Sequence, residues 1–562
     1  MESLGSPIKI GMSDKVRAYL SSFLFLLAVM FFAFMVYLII NGFPPEIVGH
    51  EIRIKNIRKP FLGFLGVFFA ALLVHPDPRT NFSGLKNNFT KFGTKPYAIW
   101  ILFGIYALLF TWQQITEYYA LEINFIPFGY YDYMLHYLFQ GRINYTGLLH
   151  GYYHLNNIII FLAPFWYFVK SPWLLVMIYG TLAASAVFPL YGIAKERFQD
   201  FLAPFVIAFV YLNYRYLQNI LLMNFSVEIF YPLFIFSALY AAMKKRWMMY
   251  YPFVVLGLLV KEDSFIYFST LGTLIYFLPE SRESVAFGRR RHGLATVLIS
   301  LLYLVFLIKI FMPLTGNGIL EGDLDNFKGQ GSSMGNIFKN LGTDPVKILT
   351  VLFGSPAKWR TYFNLLSRLA FLPLFSPTVL FVLPAVFPLF LQGDVNFVDL
   401  RFQYAAAVIP FIFIAFIFGF SNLQGKIPQV WKPYFPWGSC LLLVVLNGGH
   451  YVTRRISQKH LQSIAWARSV PLEANLVTHG HLLPYVGYRK YNYYFAPHYE
   501  RQQNQAYEAY RNADYYLMDL SVPLYPLQKS DIEYKIQAFK ENPSYDLVRQ
   551  EEDRYLFKRR ES

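Results

Sequence analysis

Ionisable residues interrupt long apolar runs at a few points of this 562-residue chain, and their types could perform proton transfer and anion binding. A carboxylate can accept a proton from a nucleophile, and an ammonium or guanidinium group can hold a phosphate. When the apolar runs are threaded through a membrane, these residues fall on one face, as expected for a site. They are Asp132, His154, Glu228, Lys261, Glu262, Asp263, Asp394 and Arg401.

Asp132 is the candidate base, because it stands among aromatic residues in the stretch PFGYYDYMLHYLFQGR. A carboxylate held at the membrane surface among aromatic rings is partly desolvated, which raises its pKa towards neutrality. The alternative interpretation is a solvated loop acid or a helix cap.

Glu228 and the triplet Lys261-Glu262-Asp263 interrupt apolar sequence, where charge is costly unless it is paired or faces a water-filled cavity. The alternative for the triplet is a hydrophilic turn between two helices. Lys261 and Arg401 are the cations best placed to hold a phosphate. Arg368 lies inside a predicted span and therefore needs a partner or a cavity.

A metal site is not expected from the histidines. His150 and His154 would share a face only on a helix, and Gly151 between them argues against one. Asp323 and Asp325 fit a solvated Gly-rich turn. The sequence also lacks the GxxxxGK[ST] and GxGxxG nucleotide motifs, so we expect no cofactor and no ATP-driven pump.

The composition indicates an integral membrane protein. Hydrophobic residues make up 55% of the chain and charged residues 15%, against roughly 25% charged in soluble domains. The net charge of +16 comes from short loops between apolar runs, so it predicts anionic lipid headgroups and not nucleic acid as the partner. Cys440 is the single cysteine, which excludes a disulfide framework.

About 13 membrane spans are predicted, from runs of nearly 20 apolar residues and shorter runs with polar ends. Residues 156–170 carry Pro164 and are predicted to be re-entrant or interfacial. Basic clusters such as Lys244–Arg246 and Arg289–Arg291 then share the cytoplasmic side with the N-terminus, whereas the basic loop 43–60 is an exception on the outer side. The spans are 18–41, 61–75, 97–112, 172–194, 201–222, 227–243, 247–260, 264–279, 293–313, 361–375, 377–392, 402–421 and 434–451.

The predicted fold is mainly α, a multi-pass helical bundle in the cell (inner) membrane with a small C-terminal α/β domain outside the cytoplasm. Residues 1–96 form an N-terminal pair of spans, 97–451 the main membrane domain and 452–562 the soluble domain. Strands are predicted in that domain from short β-branched and aromatic runs. These runs are Ala474–His479, Tyr515–Leu520, Tyr545–Val548 and Arg554–Lys558.

Several short stretches between residues 97 and 562 together form a recognisable pattern. They are Phe128–Asp132, Gln140–Tyr145, His154 ahead of Leu162–Pro164, Pro189–Ala194, Glu228, Leu258–Asp263, Arg401–Tyr404 ahead of Pro410, Val470–Ala474, Leu482–Tyr485 and Ala513–Tyr516. On these residues the chain resembles a bacterial and archaeal family of polytopic membrane proteins known as a domain of unknown function. Three positions depart from the pattern of that family: Pro127 and Tyr153 replace acids, and Ser226-Val227 replaces a His-Pro pair.

The layout of that family is similar to that of GT-C glycosyltransferases, with a base in the first large external loop and a C-terminal external domain. The resemblance implies transfer of a sugar from a polyprenyl-phosphate donor to an envelope acceptor. Asp132 would take the acceptor proton, and Lys261 or Arg401 would stabilise the leaving phosphate. The further substrate-binding or phosphate-binding residues that it implies are His154, Glu228, Glu262, Asp263 and Tyr404.

Two other functions remain open: a transporter or flippase of a lipid-linked or anionic solute, and a non-catalytic envelope assembly factor. Charged residues at membrane depth also suit transporters, although no inverted repeat is visible. The role of Asp132 separates the three, since only an enzyme needs it as a base. The oligomeric state is left open.

Overall fold

The computed structural model describes most of the chain, with gaps between its segments. The described residues are 13–42, 46–47, 50–51, 56–77, 84, 95, 97–123, 128–139, 156–222, 225–278, 283–311, 343–431, 434–488, 492–494, 512–524 and 527–560. His154, Asp323 and Asp325 lie outside these ranges, as do Pro127 and Tyr153.

Helices dominate the described residues up to position 447, because Leu, Ile, Val and Phe runs carry charges only near their ends. The first half contains α1 (Asp14–Asn41), α2 (Arg58–Val74), α3 (Tyr97–Tyr119), α4 (Tyr130–Phe139), α5 (Ala163–Val169), α6 (Trp173–Ser185), α7 (Val187–Lys195), α8 (Leu202–Asn213), α9 (Arg215–Leu221), α10 (Phe230–Met243), α11 (Trp247–Leu258), α12 (Ser264–Phe277) and α13 (Glu283–Phe306). The second half contains α14 (Pro345–Phe353), α15 (Pro356–Ser367), α16 (Val382–Gln392), α17 (Val395–Val398), α18 (Val408–Lys426) and α19 (Phe435–Asn447).

Five helices in the described part of the chain are long and apolar enough to cross a membrane: Asp14–Asn41, Tyr97–Tyr119, Trp173–Lys195, Gly288–Phe311 and Val408–Lys426. Seven shorter apolar helices accompany them, so the figure of about 13 spans stays a prediction. The apolar side chains of α1 face outwards, for example Phe23, Leu26 and Val29, as expected for a helix in contact with lipid. Most of α18 is buried, which makes it a central helix of the bundle.

Residues 157–169 form a 3-10 turn (Asn157–Leu162) followed by α5. At 1.5–2.0 Å per residue this segment spans roughly 20 Å, short of the ~30 Å hydrocarbon core. Its length is therefore compatible with the predicted re-entrant or interfacial helix.

The prediction of one continuous helix over 361–375 is wrong. Helix α15 ends at Ser367, Ala370 and Phe371 adopt left-handed φ values of 51° and 57°, and a 3-10 turn follows (Leu372–Phe375). This turn packs directly on α18, where a Cβ on Gly419 would collide with the Leu372 carbonyl. The chain therefore bends where Pro373 disfavours a helix and where α18 blocks its path.

Helices α12 and α13 approach each other closely through two glycines. A Cβ on Gly272 would lie 2.7 Å from the carbonyl oxygen of Gly293, and a Cβ on Gly293 would lie 2.7 Å from that of Gly272. Small residues at such contacts allow backbones of membrane helices to touch. The contact holds α12, whose N-terminus carries Asp263, against its neighbour.

The C-terminal segment is a small α/β domain, as predicted. Its elements are α20 (Gln458–Ser469), β3 (Leu476–Thr478), β4 (Asn492–Tyr494), β5 (Tyr515–Asp519), α21 (Lys529–Glu541), β6 (Tyr545–Glu551) and β7 (Arg554–Arg559). The five strands lie in the order β4-β3-β5-β7-β6, with β3 parallel to β4 and β5 and with β7 antiparallel to β5 and β6. Alternating apolar residues of β5 and β7 pack on α21. Elsewhere, β1 (Glu46–Ile47) and β2 (His50–Glu51) form an antiparallel pair between α1 and α2.

This C-terminal domain is docked on the end of α3. Arg454 Nε donates to Glu117 Oε1 at 2.8 Å, and Glu117 is only 2% exposed. His481 Nδ1 donates to the Leu121 carbonyl at 2.9 Å, and Tyr485 donates to that of Tyr118. The domain therefore covers the mouth of the bundle at which α3 ends.

Candidate functional site

Asp132 lies on α4, buried beneath the C-terminal domain. Its side chain is 2% exposed, and the Tyr488 hydroxyl donates to its Oδ1 at 2.8 Å. Tyr133, the next residue, donates to the Gly487 carbonyl. Two neighbouring residues of α4 thus bind one short segment of the C-terminal domain.

Three aromatic rings surround this carboxylate. His136 stacks on Tyr488 with centroids 4.3 Å apart and planes 4° apart, and Trp166 of α5 stands edge-on to both rings at 5.3 and 5.5 Å. His136 follows Asp132 by four residues, so a helix places both side chains on one face. The indole of Trp166 also faces the carboxyl group of Asp132.

Burial sets the proton affinity of Asp132, which lies outside the candidate membrane spans. Burial raises the pKa of its carboxyl group to about 7, although the donors Tyr488 and Trp166 oppose the rise. Near neutral pH both protonation states are populated. The group can therefore accept a proton and release it again.

Glu228 and Lys261 form a buried ion pair beside this pocket. Lys261 Nζ lies 3.1 Å from Glu228 Oε1, and the Ser226 hydroxyl donates to Oε2. Glu228 belongs to a 3-10 turn (Val227–Ile229) that starts α10, and Lys261 lies in the turn between α11 and α12. Each charge thus has the partner that its position in an apolar sequence demands.

Asp263 also takes part in a polar network. It accepts hydrogen bonds from the Tyr231 hydroxyl at 2.8 Å and from the Tyr267 hydroxyl at 3.1 Å. Lys261 and Asp263 therefore both bind side chains of neighbouring helices, which a simple hydrophilic turn does not require. Glu262 between them is partly exposed.

The Asp132 pocket and the Lys261 turn adjoin each other. The Ile158 amide, ahead of α5, donates to the Leu259 carbonyl at 2.8 Å. Tyr131, the residue before Asp132, lies within electrostatic range of Lys261. The buried acid and the buried cation thus lie on neighbouring segments that Tyr131 and the Ile158–Leu259 hydrogen bond connect, and we name them together the Asp132–Lys261 site.

Arg401 lies on a loop at the edge of this site. Its guanidinium is half exposed and pairs with Asp399 Oδ2 at 3.1 Å. Leu400 and Phe402 on either side have left-handed φ values of 51° and 60°, a strained conformation for bulky residues. The following 3-10 turn (Phe402–Ala405) packs on the Val227–Ile229 turn. Within the described residues no hydrogen bond or ion pair joins Arg401 itself to Lys261.

Two further predicted residues have local roles in the structure. The ring of Tyr404 packs on Phe397 with centroids 4.1 Å apart. Asp394 caps α17 by accepting the Asn396 amide at 2.7 Å. Among the described residues no group of three or more His, Cys, Asp or Glu side chains is arranged to hold a metal.

A family model described as predicted membrane protein (DUF2079) matches residues 118–556. The chain belongs to this family. No curated protein matches the sequence. The family match begins at the end of α3 and ends within β7, so DUF2079 includes both halves of the Asp132–Lys261 site and the domain that covers it, while α1 and α2 precede it.

Sequence reasoning missed several residues of this site in the DUF2079 chain. The spacing of four between Asp132 and His136 on a helix could have indicated His136. Tyr488 lies 356 residues from Asp132 in the sequence, so no local pattern indicates it. Trp166 and Tyr231 likewise meet Asp132 and Asp263 only through the packing of separate helices. Ser226 and Tyr267, in contrast, lie only two and four residues from their partners Glu228 and Asp263.

Proposed function

We propose that this protein is a glycosyltransferase of the GT-C type that transfers a sugar from a polyprenyl-phosphate donor to an acceptor of the cell envelope. The proposal rests on the burial of the Asp132 carboxyl group, which raises its pKa to about 7. The buried ammonium group of Lys261 lies near Tyr131, the residue before Asp132. Transfer from a lipid phosphate needs these two groups, a base for the acceptor and a cation for the leaving phosphate.

In the proposed reaction, Asp132 removes the proton from the acceptor hydroxyl as its oxygen attacks the anomeric carbon of the donor sugar. The bond between that carbon and the phosphate oxygen breaks, and the electron pair stays on the lipid phosphate. Lys261 stabilises this charge with the ammonium protons that Glu228 does not bind. Glu228 and Ser226 hold the lysine in place, and His154, Glu262, Asp263, Arg401 and Tyr404 are proposed as further contacts to the substrates.

The site is proposed to face away from the cytoplasm in the cell (inner) membrane, with about 13 spans and a cytoplasmic N-terminus. The exposed basic turn Lys244–Arg246 follows α10, whereas Glu228 precedes it, so these two groups stand at opposite ends of one helix. By the excess of positive charge on the cytoplasmic side, the Glu228 end is the outer end. Polyprenyl-phosphate sugars on that leaflet would then reach Lys261.

The test is mass spectrometry of envelope glycans, glycolipids and glycoproteins from a deletion strain complemented with the wild type or Asp132→Asn. The amide keeps the size of the side chain and can still accept from Tyr488, but it is no base. We expect the deletion to lose a sugar-sized mass from one product, and we expect the wild type but not Asp132→Asn to restore it. Asp553→Asn, at an exposed acid of the C-terminal domain, is the matched control and should restore it fully. Full rescue by Asp132→Asn would contradict the assignment of Asp132 as the base.

A transporter or flippase is the second candidate, and the interrupted helices favour it. The chain breaks at Tyr214 between α8 and α9 and again at Ala370–Phe371, and transporters place substrate sites at such breaks. A carrier would change the distribution of a lipid-linked solute without forming a new covalent product. The same mass spectra therefore distinguish a transferase from a transporter. A non-catalytic assembly factor, the third function, would retain its function in the Asp132→Asn variant.

A further inference from the structure

Three arginines that are not part of the Asp132–Lys261 site converge on one histidine. Arg58 begins α2, Arg215 begins α9, Arg368 follows α15 directly, and His450 follows α19. The Nη1 atoms of Arg58 and Arg368 lie 2.8 and 2.7 Å from His450 Nε2. Both guanidinium groups also donate to the Leu446 carbonyl, at 3.1 and 3.0 Å.

Arg215 completes the group, which we name the arginine cluster. It is exposed and lies within electrostatic range of Arg58, Arg368 and His450. No ion pair joins any of the three arginines to a carboxylate in the part of the chain that the structure describes. The cluster thus gathers three permanent positive charges without an acidic partner among these residues.

His450 is neutral and accepts hydrogen bonds from both Arg58 and Arg368. Both arginine contacts reach its Nε2 atom, and a guanidinium group can only donate. Its Nε2 therefore carries no proton and receives the guanidinium N–H groups. It fixes the direction of Arg58 and Arg368 and leaves the rest of each guanidinium fork for other acceptors.

Capping of α19 is the simplest structural role of these arginines, and it does not balance the charge. The Val445, Leu446 and Gly448 carbonyls at the end of α19 accept from Arg58. The end of a helix carries roughly half an elementary negative charge, against three positive charges here. Gathering like charges in a half-buried place is unfavourable unless an anion joins them.

The side chains around Arg368 indicate which kind of anion would join the arginine cluster. Large apolar side chains are exposed on α15 and just after Arg368, at Trp359, Phe363, Phe371, Leu374 and Phe375. Exposed aromatic residues of a membrane protein contact acyl chains and the headgroup region. The arginines thus stand beside an apolar surface fit for the tail of a lipid.

We propose that the arginine cluster binds the phosphate group of a membrane lipid. Guanidinium forks match phosphate oxygens in a bidentate arrangement, and the three arginines offer such forks without an ion-paired carboxylate among the described residues. None of the three arginines belongs to the Asp132–Lys261 site, so the binding site stands whether or not the protein transfers sugars. It also fits the predicted outer position of the basic segment 43–60, which contains Arg58.

The experiment is native mass spectrometry of the purified full-length protein with phosphatidic acid or with phosphatidylcholine. We expect one phosphatidic acid molecule to be retained in preference to phosphatidylcholine. Arg215→Gln should weaken its binding about tenfold, the effect of one lost charge-assisted contact. Arg215 makes no hydrogen bond to a described residue, so this variant should fold as the wild type does.

Arg360→Gln is the matched control, since Arg360 is an exposed arginine on α15 that pairs with Asp399 at 3.5 Å. Its lipid binding should equal that of the wild type. Equal retention by Arg215→Gln and the wild type, or an equal loss in Arg360→Gln, overturns the proposal. Inorganic phosphate is the second probe: if it raises the melting temperature of the wild type but not of Arg215→Gln, while phosphatidic acid has no effect, the ligand is a soluble phosphate and the lipid assignment is wrong.

Discussion

At the scale of the residue, the proton affinity of Asp132 depends on a contact between the membrane domain and the C-terminal domain. Its carboxyl group is buried by α4 and α5, but its nearest donor, Tyr488, belongs to the C-terminal domain. Burial disfavours the charged form, whereas the phenol stabilises it. The proton affinity of the proposed base thus depends on whether the C-terminal domain is in place.

Tyr488→Phe is expected to move the pH dependence of activity to the alkaline side. Activity requires the ionised carboxylate, so it rises with pH through the pKa of about 7. Without the phenol the carboxylate loses a hydrogen bond of about 1.5 kcal/mol, which raises the pKa by about one unit. Product formation in isolated membranes, followed by mass spectrometry against pH, measures the shift. Tyr534→Phe, at an exposed position of α21, should keep the wild-type profile, and an unchanged profile in Tyr488→Phe would count against Asp132 as the base.

Glu228→Gln is expected to destabilise the protein by about 3–5 kcal/mol, because it leaves the Lys261 ammonium buried without its counter-charge. The double variant Glu228→Gln with Lys261→Met should regain most of this loss, since apolar residues can replace a buried pair. Thermal unfolding of the purified protein measures both. Glu533→Gln, in an exposed pair with Lys529, should change stability by less than about 1 kcal/mol.

The double variant also separates stability from function. If Lys261 serves only to neutralise Glu228, the double variant will be active as well as stable. We expect it to be stable and inactive, because methionine cannot stabilise a leaving phosphate. Recovery of both properties would show that the pair is structural.

At the scale of the element, apolar runs predicted where helices lie, but not where they break. The run over 361–375 is mostly apolar, yet the chain turns at Ala370 and Phe371 because Leu372 meets Gly419 of α18. The breaks depend on contacts with helices distant in sequence, and a local pattern does not contain them. In the same way, the apolar sequence around Glu228 and Lys261 predicted that burying either charge alone costs free energy. It did not predict that the two residues, 33 positions apart, pair with each other.

Close contact of α12 and α13 leads to a prediction about their glycines. Gly272→Ala and Gly293→Ala each place a methyl group against a backbone carbonyl, so each should destabilise the protein by about 1–3 kcal/mol. Gly288→Ala lies on α13 with open space around it and should be neutral or stabilising by up to about 1 kcal/mol. Melting temperatures of the three variants test this, and equal values for all three would contradict the contact.

At the scale of the molecule, the C-terminal domain closes one end of the bundle and completes the site. Four of the five strands of the domain were predicted from short β-branched and aromatic runs, and β4 was not. Its docking on α3 and α4 was not, because Arg454, Tyr485 and Tyr488 meet partners more than three hundred residues away. The family match over residues 118–556 fits this arrangement, since it includes both Asp132 and the domain that covers it.

The side of the membrane on which this unit lies can be tested with the single native cysteine. Cys440 is buried, so Cys440→Ser provides a background for new cysteines. We expect Ala538→Cys, exposed on α21, to react with a membrane-impermeant maleimide in intact cells, because the excess of positive charge predicts that the basic turns at the opposite face lie in the cytoplasm. Met248→Cys, 92% exposed next to Lys244–Arg246, should react only after the cells are permeabilised. The reverse pattern would place Asp132 and the C-terminal domain in the cytoplasm, and a lipid-linked donor in the outer leaflet could then not reach Lys261.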